Sequence, residues 1–329
     1  MRVLLWRVHD PWTSAFLQGA HDVLVPVLPD GGAADRGGVA ASARPGRARE
    51  VPVEQLREEP VDVVILQRPH ELGLAEEWLG RRPGRDVPAL YLEHDAPTGP
   101  AATTRHPLGD QAAIPIVHVT AAHRLRWDAG QAPTHVVPYG VPDPGHRWTG
   151  GLERAAVVAD EPMGRGRVVG ADLLPGLVRA APVDVLGPGV SALLDPDGPL
   201  GAALAPAAAS GRLGLRDDLP HDRLLVELAR RRVFVDLARR TSLGLPLAEA
   251  MLLGMPVVAL ATTEAVAAVP PGCGVLAVDP TVLHGAVRRY LRDPGLAADH
   301  GRAARAHALE AFGLQRFLDD WDALLDAYA

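Results

Sequence analysis

Residues 241–260 read TSLGLPLAEAMLLGMPVVAL. The run MPVVAL (255–260) is short, continuously apolar and rich in Val, which is the pattern of a strand buried on both faces of a parallel sheet. Pro246 suits the first turn of a helix that continues to Leu253, since its missing N–H is not needed there, and Gly254 is placed to cap that helix. Gly244 precedes the helix and permits close backbone approach to a ligand. A helix start after a glycine presents free N–H groups and the positive end of the dipole to an anion. Gly244, Leu245 and Pro246 therefore form a candidate diphosphate site. Glu249, one turn inside, is placed to accept ribose hydroxyls. On physical grounds alone an ordinary scaffold helix fits the same residues.

The same short apolar runs recur in both directions along the chain. VLLWRV (3–8), HDVLVPV (21–27), VDVVIL (61–66), VPALYLE (87–93), IPIVHVT (114–120) and THVVP (134–138) form one series. AAVVA (155–159), PVDVLG (182–187), RVFVDL (232–237), MPVVAL and CGVLAV (273–278) form a second. Helical stretches between them, such as 121–129, 221–231 and 281–293, predict doubly wound α/β sheets. The Gly/Pro-rich segment YGVPDPGHRWTGG (139–151) reads as a linker. Two Rossmann-like domains are thus expected, over 1–150 and 151–313. LQRFLDDWDALLDAY (314–328) has apolar residues spaced by three and four, an amphipathic helix. Residues 28–50 read as an exposed loop insertion and 188–214 as irregular. Open α/β sheets bind ligands at the carboxyl ends of their strands, so two facing sheets would enclose a cleft.

Taken together these segments resemble the retaining GT-B glycosyltransferases, the group that includes glycogen synthase-like and phosphatidylinositol mannosyltransferase-like enzymes. The donor signature of that group is a Glu, seven residues, a second Glu, Ala-Met, a spacer and Gly-x-Pro-Val-Val. Glu249, Ala250, Met251, Gly254, Pro256, Val257 and Val258 match it. The first Glu is replaced by Thr241. LPHDRLLVELARRRVFVDLARR (219–240), VVPYGVPDP (136–144) and ALYLEHDAP (89–97) also resemble stretches of the family, with Tyr139 in place of the usual Asn. The resemblance implies that Glu249 holds the nucleotide ribose and that Thr241 stands beside the donor sugar. In GRGRVVGADLLPGL (164–177), Arg165 takes the place of the family's phosphate-binding Arg. Val169 takes that of its Lys, with Arg167 near enough to substitute. Thr262 and Thr263 are candidate donors to the phosphates or sugar, or helix caps. The final helix would pack back on the first domain.

On the acceptor side, strand 1 ends at His9, Asp10, Pro11 and Trp12, a polar and aromatic loop. Trp12 would stack on a sugar or acceptor face, with His9 and Asp10 orienting hydroxyls; a capped turn around a packed Trp is the alternative. His94 and Asp95 follow the strand at 87–93, and the resemblance places His94 near the reacting carbon. Arg105 and His106 read as a solvated loop with the option of touching acceptor, and His118 as a satisfied core residue.

The expected reaction is hexosyl transfer from a UDP- or GDP-linked sugar to a small-molecule or saccharide acceptor. The resemblance implies retention, no metal, and domain closure to exclude water. A formal charge of −7 argues against coating nucleic acid or an anionic membrane. Cys273 is the one cysteine, so neither an intrachain disulfide nor a Cys-based zinc cluster can form. Arg2, Arg7, His9 and Asp10 interrupt any secretory apolar region, and no run suffices for a membrane span, which points to the cytoplasm. Dinucleotide, P-loop, nucleophile-elbow and zinc-peptidase motifs are absent. Because Thr241 and Val169 replace charged residues, two alternatives stay open: a non-catalytic relative that binds a nucleotide sugar or a partner, and a nucleotide-sugar epimerase.

Overall fold

Each apolar run named above forms a strand, and every strand pairs in parallel with its neighbours. The computed structural model describes residues 1–28, 47–100, 102–239, 243–262 and 264–329. These fall into two units, Met1–Pro142 with Phe312–Ala329, and Asp143–Ala311.

In the first unit the strands are β1 (Arg2–Leu5), β2 (Asp22–Val27), β3 (Ala48–Pro52), β4 (Val63–Leu66), β5 (Ala89–Glu93), β6 (Ile116–His118) and β7 (Thr134–Val136). They lie in the order β3-β2-β1-β4-β5-β6-β7. Leu4 of β1 is in register with Leu24 on one side and Val64 on the other. The strand order reverses between β1 and β4, which opens a crevice at their carboxyl ends. Helix Leu314–Tyr328 belongs to this unit and buries Phe317, Trp321 and Leu325 completely. Gly140 passes so close to it that an added Cβ would lie 2.5 Å from the Phe317 side chain, which is why only glycine fits there.

In the second unit β8 (Leu152–Val158), β9 (Val183–Leu186), β10 (Leu213–Arg216), β11 (Arg231–Asp236), β12 (Val257–Leu260) and β13 (Gly274–Ala277) run in the order β10-β9-β8-β11-β12-β13. Here the reversal falls between β8 and β11. The loops that leave those two strands touch at Gly170, whose φ is +75° and whose Cβ, if present, would come within 2.2 Å of the Leu237 carbonyl oxygen.

Two expectations require correction. Residues 48–52, read as loop, form β3, and the stretch 188–214 contains helix Gly201–Ala209 and the start of β10. Both missed strands are sheet edges. Edge strands keep exposed positions, so AREVP and LGLR lack the continuous apolar run that marks a central parallel strand. No helix among the described residues is long and apolar enough to cross a membrane.

Candidate functional site

The second unit presents its chemistry at the β8/β11 reversal. After β8 the chain makes the short helix Pro162–Arg165 and a turn at Gly166–Val168. Arg165 Nη1 lies 2.9 Å from Asp160, and Arg167 Nη1 3.8 Å from Asp172. Their side chains are 41% and 81% exposed, so both guanidiniums retain donors able to turn toward an anion. Val169 instead packs against the core of this unit, so it gives a phosphate nothing.

The loop after β11 is tied to the loop after β8 by a residue the sequence reading passed over. Arg239 makes a fork with both Asp172 oxygens at 2.6 and 3.1 Å, and its backbone N–H donates to the Val168 carbonyl at 2.9 Å. The signal for it was the Arg239–Arg240 pair ahead of Thr241, but its acidic partner lies too far away in the chain to be paired by spacing. Asp236 ends β11. One of its oxygens accepts the Ala238 N–H at 2.9 Å and burial pushes its carboxyl up to about 6.

Gly244 caps helix Leu245–Leu253 in an extended conformation, and Gly254 ends it at φ +87°. Pro246 has no N–H, and the Leu247 N–H turns back to the Gly244 carbonyl at 2.9 Å. The helix start therefore offers fewer free donors than a generic one. Glu249 is held by a second unforeseen partner: its Oε1 lies 3.1 Å from His221 Nε2, at the head of helix His221–Arg230. The adjoining Glu249 carboxylate raises the His221 pKa above its ordinary value, burial opposes it, and the charge of Asp222 adds to the rise. Thr262 does not cap a helix. Its hydroxyl donates to the Ala238 carbonyl at 2.8 Å, and Glu264 occupies the cap position of helix Ala265–Ala268. Thr241 and Thr263 lie outside the described residues.

In the first unit a chain of hydrogen bonds crosses the β1/β4 reversal. Gln67 Nε2 donates to the Trp6 carbonyl, which turns Gln67 Oε1 toward His94 Nε2 at 2.8 Å. Oε1 only accepts, so His94 carries its proton on Nε2 and its Nδ1 accepts from the Tyr139 hydroxyl at 3.0 Å. Both ring nitrogens of His94 are thus committed to the protein rather than free for a sugar. Burial is the main reason its pKa falls to about 3, with the His9 and His123 charges adding. His9 stacks on His94 at 4.7 Å between ring centroids and on Tyr139 at 5.4 Å.

The loop expected after strand 1 is helix Asp10–Phe16. Asp10 is exposed and pairs with Arg7 at 2.8 Å. Trp12 is fully buried against Phe16, Phe317 and Trp321, so it is a packing residue and no face of it remains for a ligand. Asp95 is exposed, its backbone N–H donating to Glu93 and its carbonyl accepting from Trp127 Nε1. His106 is buried rather than solvated, with Nε2 3.1 Å from Glu93, whereas Arg105 pairs with Asp110 at 2.8 Å. His118 is fully buried, but neither ring nitrogen has a hydrogen-bond partner, so it is not a satisfied core residue. No group of three or more His, Cys, Asp or Glu side chains with metal-ligand geometry occurs among the described residues.

Two parallel-sheet units, each with a strand-order reversal, define a GT-B fold. A family model described as glycosyl transferase-like matches residues 177–323, which contain Glu249 and its helix. No curated protein matches the chain. Among solved structures, HepE of Anabaena in complex with UDP aligns with a TM-score of 0.73 at 15% identity, over 99% of both chains. Sucrose-phosphate synthase of Thermosynechococcus elongatus aligns at 0.68 and 15% identity, over 99% of this chain and 98% of that one. AviGT4, a glycosyltransferase involved in avilamycin A biosynthesis, aligns at 0.66 and 16% identity, over 99% and 97%.

Proposed function

We propose that this chain is a glycosyltransferase that moves a hexosyl group from a UDP-sugar to an acceptor hydroxyl, with retention and without a metal. The observation that carries the reading is Glu249, held on helix Leu245–Leu253 within the segment that matches the glycosyl transferase-like family model. UDP is favoured because HepE binds UDP and UDP-glucose. A GDP-linked donor has no such support.

In this reading Glu249 accepts hydrogen bonds from the ribose. The Gly244–Pro246 helix start, with Arg165 and Arg167, stabilises the diphosphate as it leaves, an electrostatic contribution of the kind that usually dominates catalysis. A phosphate oxygen of the leaving group takes the acceptor proton, so no protein base is required on that face. Thr241 would orient the donor sugar. His94 keeps its Nε2–H on Gln67 and positions Tyr139 and His9. His9, Asp10 and Asp95, at the strand ends of the first unit, are left to hold the acceptor.

The non-catalytic reading rests on Val169, which packs into the core where a phosphate-binding Lys is expected. Calorimetric titration with UDP, GDP, ADP and dTDP, followed by UDP-glucose with acceptor pools, separates the two. Selective UDP binding with sugar transfer is expected, and Glu249→Ala should weaken UDP by about 1.5–3 kcal/mol per hydrogen bond lost. UDP binding without any transfer would favour the non-catalytic reading. No binding of any nucleotide would refute the transferase reading and leave the partner-binding form of the alternative.

A further inference from the structure

Among the described residues, Glu249 meets one polar side chain, the His221 imidazole, 3.1 Å from Oε1, on a helix that packs against its own. Oε2 meets no polar side chain among the described residues, while the Glu249 side chain is only 13% exposed. Among the described residues one oxygen is therefore in contact with His221 and the other with no polar side chain. The anchor stands in an unexpected place. A histidine that gains positive charge at the N-terminal end of a helix opposes the helix dipole, and Asp222, next to it in the first turn, has the favourable sign. His221 is itself 61% exposed, and exposed ion pairs add little to folding. Neither helix stability nor packing accounts for His221, whereas the orientation of Glu249 does.

We infer that His221 is a positioning residue for nucleotide binding: it holds Oε1 of Glu249 so that the carboxylate is presented to a vicinal diol in a single orientation. The inference rests on the reading of Glu249 as the ribose partner. A free Glu side chain samples several rotamers, and ordering it on binding costs part of that rotamer freedom. Losing the anchor should therefore weaken binding about three- to tenfold.

A charge contribution accompanies the geometric one. Glu249 from the facing helix and Asp222 from its own both raise the pKa of His221, and burial opposes them. The protonated imidazole then adds a positive charge near an anionic ligand. UDP should bind more weakly as the pH rises through this titration.

The experiment is calorimetric titration of UDP into the full-length protein and its His221→Gln and His221→Ala variants at pH 6 and pH 8, with a thermal melt of each. His221→Ala is expected to bind UDP three- to tenfold more weakly at pH 6 with its Tm unchanged. His221→Gln, which keeps a neutral donor of similar reach, should restore most of that affinity. Both variants should show less loss of UDP affinity between pH 6 and pH 8 than the parent. Parental affinity and pH dependence in His221→Ala would overturn the inference while leaving the donor-site reading intact. A parent protein that binds no UDP at either pH would overturn the donor-site reading and the inference with it.

Discussion

Lowering the pH from 7 to 5 should cost the first unit about 4 kcal/mol through two histidines alone. His118 is 0% exposed and His123 2%. Burial is the leading cause that brings their pKa values down from 6.5, to about 3 and about 4. The unfolded chain binds these protons once the pH drops below 6.5, but the folded chain resists them until the pH approaches the lowered values. Stability is therefore fully present above 6.5 and is lost as the pH falls. Both folded values lie below 5, so the cost at pH 5 is set by the 1.5 units separating it from 6.5, about 2 kcal/mol per histidine. His94, also lowered to about 3, acts in the same direction. Against a typical total of about 5–15 kcal/mol this is a large fraction. Five of the six tryptophans (Trp6, Trp12, Trp78, Trp127 and Trp321) lie in the first unit, so urea unfolding followed by tryptophan fluorescence reports on it. The midpoint should fall between pH 7 and pH 5, and His118→Leu should remove about half of the shift assigned to the two residues. Equal midpoints at the two pH values, or an undiminished shift in His118→Leu, would refute the reasoning.

Two further expectations concern the second unit. Replacing Arg165 and Arg167 together by Ala should lower sugar transfer at least tenfold while Tm moves little, since exposed ion pairs contribute about 0–1 kcal/mol; a large fall in Tm with turnover preserved would assign them to the scaffold instead. Asp184 is buried and accepts from Arg154 at 2.7 Å and from the equally buried Arg231 at 2.8 Å. Asp184→Ala should cost about 3 kcal/mol, the low end for an uncompensated buried charge because Glu227 still pairs with Arg231. UDP affinity measured well below the melting temperature should be unchanged, and a selective loss of affinity without loss of stability would contradict this assignment.

The residues by themselves determined the parallel α/β character of both units. Strands buried on both faces must be continuously apolar, and that pattern is local and visible. The start of helix Leu245–Leu253 and its end at Gly254 were equally legible, because capping and proline placement depend on neighbours in the chain. The edge strands β3 and β10 were hidden because Arg49 and Glu50 in one, and Gly214 and Arg216 in the other, break the apolar run. Only the tertiary structure decided which polar groups meet. Glu249 with His221, Arg239 with Asp172 and His94 with Gln67 and Tyr139 are pairs brought together by different strand ends or helices, and no spacing rule announces them. Trp12 shows the same limit from the opposite side. Beside His9 and Asp10 it looked like part of a ligand-facing loop, but the three-residue step from His9 to Trp12 spans a helix start, and a helix that packs against Phe317 and Trp321 of the C-terminal helix turns the indole inward. Periodicity reports how a segment partitions between core and water, whereas a site is made by side chains that long-range folding brings within a few ångströms.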